Sequence, residues 1–181
     1  MLGQTIAFVF VTGLGFQTAK PPEEKYDAKR DVTTYSTGDV HTAGYSGYNA
    51  HFEFPGKAFS VPVSIELGFG SLRLAHGQPA DQDQSLLHWK DVKTISLTYG
   101  GKTQDYPATQ DWKVSTNKTV TTFLGRALEE SLSITLTPAQ LKDITGSDSV
   151  TVQLGKDSQT LKGKSLGPLK KLSACIPVGL R

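Results

Sequence analysis

The sequence predicts a mainly β (α+β) chain, an antiparallel sandwich-like domain with two short helices towards its C-terminal end. Three observations predict it. Apolar and polar residues alternate in short runs, most clearly in Ile95–Tyr99 and Val150–Leu154, which is the period of a half-buried strand. Glycine-containing turns such as Gly100-Gly101 follow those runs and suit two-residue hairpins. In Leu136–Leu172 the spacing changes, and helix-start signals appear beside the strand pattern.

That last stretch carries the clearest local signals. Thr137 and Gln140 have the spacing of a capping box, and Pro138 falls at the first helical position, where a missing N–H costs nothing. Leu136 and Leu141 are placed for a hydrophobic staple across the cap. The helix is expected to stop at Gly146 in a left-handed conformation. Val150, Val152 and Leu154 then line one face of a strand. Gly155-Lys156-Asp157 turns the chain, and Gln159 and Leu161 share a face of the return strand. Past Gly163, Leu166, Leu169 and Leu172 fit one face of a second helix. Such a unit needs a larger body to dock on, since hairpins and short helices are marginal alone.

From the start of the chain, residues 1–19 carry no charged side chain and contain the apolar run Ile6–Val11. That run is too short to span a bilayer, which takes about 20 apolar residues. It is expected to be the core of a signal peptide within residues 1–19, cleaved at Gly13-Leu14-Gly15 or after Ala19, with a buried first strand as the alternative. Residues 20–30 are expected to be a flexible linker, from Pro21-Pro22 and the mixed charge that follows. Residues 31–181 then form a single β-rich domain. Strands are expected at 31–36, at 51–54 before the Pro55-Gly56 turn, and at 59–68, where Pro62 argues for an edge position or a bulge. Residues 37–50 read as a glycine-rich loop, 76–84 as a polar loop, and His88 and Trp89 as the opening of the next strand region.

Two hairpins are similar in pattern. Ile95–Tyr106 aligns with Val150–Leu161 at a constant offset, with apolar positions, a turn glycine and a glutamine (Gln104, Gln159) coinciding. Two units are too few for a solenoid, which needs three or more.

Composition narrows the function classes. A net charge of +2 gives no bulk attraction to nucleic acid, although from Thr151 onward six basic residues face one acid. The single cysteine, Cys175, excludes an internal disulfide framework and a CxxC metal site. Its neighbours Ala174, Ile176, Pro177 and Val178 make a buried, inert thiol the expectation. Gly68-Phe69-Gly70-Ser71 lacks the strand-to-helix context of a phosphate loop. Asp81-Gln82-Asp83 lacks the glycine and the closing glutamate of a calcium loop. Asn117-Lys118-Thr119 fits a glycan acceptor, which matters only in a eukaryotic secretory path.

No catalytic motif emerges. Glu129 and Glu130 are adjacent on a strand, so they point to opposite faces and do not converge on one substrate. Histidines 41, 51, 76 and 88 accompany no GxSxG or HExxH pattern. The expectation is a non-enzymatic chain with no cofactor and no metal. The side chains best suited to ligand binding are Tyr45, Tyr48, Trp89 and Trp112, whose rings are able to stack on a sugar or a partner surface.

The order of features resembles a class of uncharacterised bacterial secreted or lipid-anchored β-rich domains. The resemblance rests on Asp31-Val32-Thr33-Thr34, the Phe54-Pro55-Gly56 turn, Pro62–Leu67, the Ile95–Tyr106 hairpin, Ser133–Leu141 and Val150–Leu161 with the closing helix. It implies an envelope location and an antiparallel fold, and carries no site residue. The functional expectation is a secreted or periplasmic envelope domain that binds an envelope protein or the cell surface. A carbohydrate-binding sandwich is the alternative, and a hydrolase is the weakest reading.

Overall fold

The structure is a computed structural model that describes residues 22–43, 46–58, 64–76, 87–115 and 125–176. The strands are β1 (Glu23–Asp27), β2 (Val32–Ser36), β3 (Val40–Ala43), β4 (Ser46–Pro55), β5 (Ile65–His76), β6 (Thr94–Tyr99), β7 (Lys102–Pro107), β8 (Thr109–Ser115), β9 (Gly125–Leu136), β10 (Ser149–Leu154) and β11 (Asp157–Lys162). Helices α1 (Pro138–Thr145) and α2 (Gly167–Ala174) flank the last hairpin, with a 3-10 turn at Gly163–Ser165.

The alternation read from the sequence builds two antiparallel sheets. The larger runs β1-β2-β4-β5-β9-β8, with β3 also paired to β4, and the smaller runs β11-β10-β6-β7. The long pair β5–β9 holds one register from Ile65↔Leu136 to His76↔Gly125. Ile65, Leu67 and Phe69 therefore share a buried face with Leu132, Ile134 and Leu136. Tyr48, Ala50, Phe52 and Phe54 extend that face along β4, and Tyr35 stacks on Phe52 at 5.4 Å between ring centroids. The smaller sheet buries Ile95, Leu97, Tyr99, Tyr106, Val150, Val152, Leu154 and Leu161. Leu141 and Ile144 of α1 and Leu169 and Leu172 of α2 complete a single core shared by both sheets. The fold is thus mainly β and sandwich-like, as the sequence predicts. The chain switches sheets at Ala108, between β7 and β8, where the Ala108 N–H donates to the Lys93 carbonyl at 2.8 Å.

The two similar hairpins are neighbours in the smaller sheet. Their internal registers match, Ile95↔Tyr106 in one and Val150↔Leu161 in the other. They join through β6 and β10 with Leu97 opposite Val152, its own counterpart in the alignment. That pairing places a local two-fold axis through the middle of the sheet. Each turn also reaches the segment that leads into the other hairpin. Lys102 binds Asp143 of α1 at 2.9 Å, while Asp157 binds the Trp89 indole at 2.8 Å.

Local signals at α1 hold in detail. The Gln140 N–H donates to Thr137 Oγ1 at 3.2 Å, and the Thr137 N–H donates to Gln140 Oε1 at 2.8 Å. Other expectations need correction. Residues 23–27, inside the expected linker, form β1, paired along its length with β2. The expected glycine-rich loop at 37–50 contains β3 and the first half of β4. The φ of Gly146 is −67°, right-handed, so this glycine does not end α1 by a left-handed turn. Its N–H instead continues the helical pattern to the Lys142 carbonyl at 2.9 Å. His88 and Trp89 precede the strand, which starts at Thr94. β5 is interior, flanked by β4 and β9, and starts at Ile65; Pro62, which had suggested an edge position or a bulge, lies outside the described residues. Cys175 is partly buried beside the core, and burial raises its thiol above the ordinary value.

The turns give one stability prediction. Gly101 has a φ of +77° with open space where a Cβ would stand, so Gly101→Ala costs only the left-handed strain of roughly 1–2 kcal/mol. Gly155 has a φ of +63°, and a Cβ there meets Val92 Cγ2 at 2.6 Å. Gly155→Ala is therefore expected to lower the urea midpoint clearly more than Gly101→Ala. Equal losses would show that Val92 yields freely.

A second concerns alkaline pH. Burial pushes the Tyr48 hydroxyl well above the ordinary 10.0, with the Leu169 backbone acting in the opposite direction. Tyr106 is raised by burial and by Tyr99. Raised acids favour the protonated native state, so their stabilisation is complete below about pH 10 and declines above it. Denaturant titrations between neutral and strongly alkaline pH should show that decline. Tyr48→Phe should flatten it while losing stability at neutral pH, because the hydroxyl donates to the Ser165 carbonyl at 2.6 Å.

Candidate functional site

A buried polar cluster lies where the larger sheet meets the segment before β6. Along β9, Leu128, Leu132, Ile134 and Leu136 are buried, and Glu130 shares their phase. A strand sends alternate side chains to one face, so Glu130 projects into the interior, where it is only 2% exposed. Its Oε1 accepts the Trp89 N–H at 3.0 Å. Trp89 is itself buried, and its Nε1–H donates to Asp157 Oδ2 at the start of β11. His88 Nδ1 lies 3.9 Å from the same oxygen and is half-exposed. In register, Ser71 of β5 and Trp112 of β8 flank Glu130, giving a row Ser71–Glu130–Trp112 across the face.

A buried carboxylate is costly unless bonded. Here one oxygen satisfies a backbone N–H that would otherwise be stranded at the mouth of a loop. Glu130 is closed to solvent, so the geometry describes a tie between elements. As expected, the two adjacent glutamates diverge: Glu129 faces outward and pairs with Lys113 at 3.0 Å, while Glu130 faces inward.

Other titratable groups are dispersed. His51 Nε2 lies 3.9 Å from Glu66 Oε2 on the outer face of the larger sheet, away from the His88–Asp157 pair. At Asp39, partial burial raises the carboxyl above its ordinary value, opposed by the Asn49 amide at 3.4 Å and by His41. Among the described residues, no group of three or more His, Cys, Asp or Glu is placed to hold a metal ion. No described helix is long and apolar enough to cross a membrane.

The four aromatic candidates do not converge. Tyr48 is 1% exposed in β4 and Trp89 is 3% exposed, so neither ring is presented for stacking. Both are corrected to core residues, because a buried aromatic with a bonded polar tip suits the interior. Tyr45 lies outside the described residues, as do Asp81–Asp83 and Asn117–Thr119. Trp112 alone of the described candidates is presented, 36% exposed at the middle of β8, which is the end strand of the larger sheet.

The sequence reading missed Glu130 as a tie, although a signal for it existed. Glu130 occupies the apolar phase Leu128-x-Glu130-x-Leu132, where a charge needs a partner. Searches of protein-family models, curated proteins and solved structures returned no match to the chain.

Removal of the tie gives a measurable result. Glu130→Ala strands the buried Trp89 N–H and should cost about 1–3 kcal/mol in chemical denaturation. Glu130→Gln keeps an acceptor and should cost less. If the two variants unfold together, the Glu130–Trp89 bond is not what holds this segment.

Proposed function

We propose that this chain is a non-catalytic domain of the cell envelope or the secreted fraction that binds a protein or surface partner, with Trp112 at the centre of the contact. One observation carries the reading: Trp112 is the large hydrophobic residue left exposed among the described residues, and it stands on a sheet edge. An exposed aromatic at an edge is a common anchor for binding. Four of the other groups singled out within the described residues serve the fold. Glu130, Trp89 and Asp157 tie elements together, and the Tyr48 hydroxyl holds the 3-10 turn that precedes α2. The charge-free apolar start at 1–19 and the resemblance to secreted or lipid-anchored bacterial domains support the location.

Trp112 also favours a second reading, a carbohydrate that stacks on the indole face. Both are tested by comparing the intact chain with Trp112→Ala in pull-downs from an envelope extract and on a glycan array. Loss of Trp112 should weaken the true partner roughly tenfold or more. A protein partner that depends on Trp112 supports the first reading, and a glycan that does so supports the second. Retention of every partner by Trp112→Ala would overturn both.

A further inference from the structure

We infer that the partner seated on the β8 edge is a second copy of this chain, joined strand to strand in antiparallel register about Trp112. The inference rests on the binding reading above and names the occupant of that surface. β8 ends the order of the larger sheet, and among the described residues no strand pairs with its outer edge. Its sequence is Thr109-Gln110-Asp111-Trp112-Lys113-Val114-Ser115. A two-fold axis through Trp112 sets each Asp111 opposite Lys113 of the second copy, Gln110 opposite Val114, and Thr109 opposite Ser115. The edge is thus its own complement in charge. Charged edges repel unrelated strands, and opposite charges directly across a strand pair attract.

The backbone is prepared for the same exchange. The Trp112 N–H is capped by its neighbour, the Asp111 Oδ1, at 2.8 Å on an exposed edge. On pairing, that N–H passes to the Trp112 carbonyl of the second copy, and the released Asp111 carboxylate meets Lys113 of that copy. Lys113 pairs at 3.0 Å with Glu129 of its own chain, across on β9, so on pairing its ammonium is shared between Glu129 and the incoming Asp111. Two Trp112 residues then face each other across the axis in a hydrogen-bonded pair, with Cα atoms about 5.5 Å apart. The exposed part of each ring gains cover.

The test is the mass of the full chain by sedimentation and light scattering from micromolar to millimolar concentration. The intact chain should show a concentration-dependent dimer. Asp111→Lys sets lysine against lysine twice across the axis and should weaken dimerisation roughly tenfold, with thermal unfolding preserved. Register is read independently in a Cys175→Ser background. Thr109→Cys with Ser115→Cys should oxidise to a covalent dimer, whereas Thr109→Cys with Val114→Cys should not. A chain that stays monomeric throughout, or an Asp111→Lys chain that dimerises like the intact one, overturns the inference. If the chain is monomeric but a foreign partner still depends on Trp112, self-pairing falls and the binding reading stands.

Discussion

The fold depends on how Trp89 is held. This residue belongs to no strand, yet it bonds to both sheets: its backbone N–H reaches Glu130 on β9, and its indole N–H reaches Asp157 on β11. Without such a tie, the segment before β6 would leave a polar backbone group stranded against an apolar interior, which is among the costlier local faults in a folded chain. With it, the ring joins the core that holds Ile95 and Leu154, and β6 begins where the smaller sheet needs it. A buried carboxylate is retained here because its oxygen accepts an N–H that a hydrophobic residue would leave unpaired.

The smaller sheet shows how one local pattern used twice yields unequal surroundings. Leu97 and Val152 pair across the local axis, and the hairpins share turn position, register and burial phase. The contacts of the turns differ in sign. Lys102 of the first hairpin binds the carboxylate of Asp143, whereas at the matching place Asp157 accepts from Trp89 with His88 nearby. The cause is what precedes each hairpin. A capped helix presents Asp143 in one case, and an irregular segment presents an indole in the other. The axis therefore belongs to the scaffold, and the surfaces around it are free to differ.

Much of this arrangement was legible in the chain itself. The capping box at Thr137, the Gly100-Gly101 turn, the alternation of β6, β9 and β10 and the divergence of Glu129 from Glu130 all rest on residues within a few positions of one another, where backbone geometry decides. Gly146 was an exception in handedness alone: α1 stops there, but the cap is right-handed, with its N–H on the Lys142 carbonyl. β1 escaped notice because Glu23–Asp27 is a mostly exposed strand with little apolar pattern, made regular by pairing with β2.

By itself, then, the sequence determined the strand-rich class, the two matching hairpins, the start of α1 at Thr137 and the presence of a second short helix after Gly163. Only the tertiary structure decided which aromatics are walls of the core and which is presented. Tyr48 and Trp89 looked as available as Trp112, but their fates rest on partners 117 and 41 residues away, Ser165 and Glu130. Period and turn chemistry act over a few residues and survive in any context. Burial is settled by whatever the rest of the chain brings alongside, and no local pattern records that.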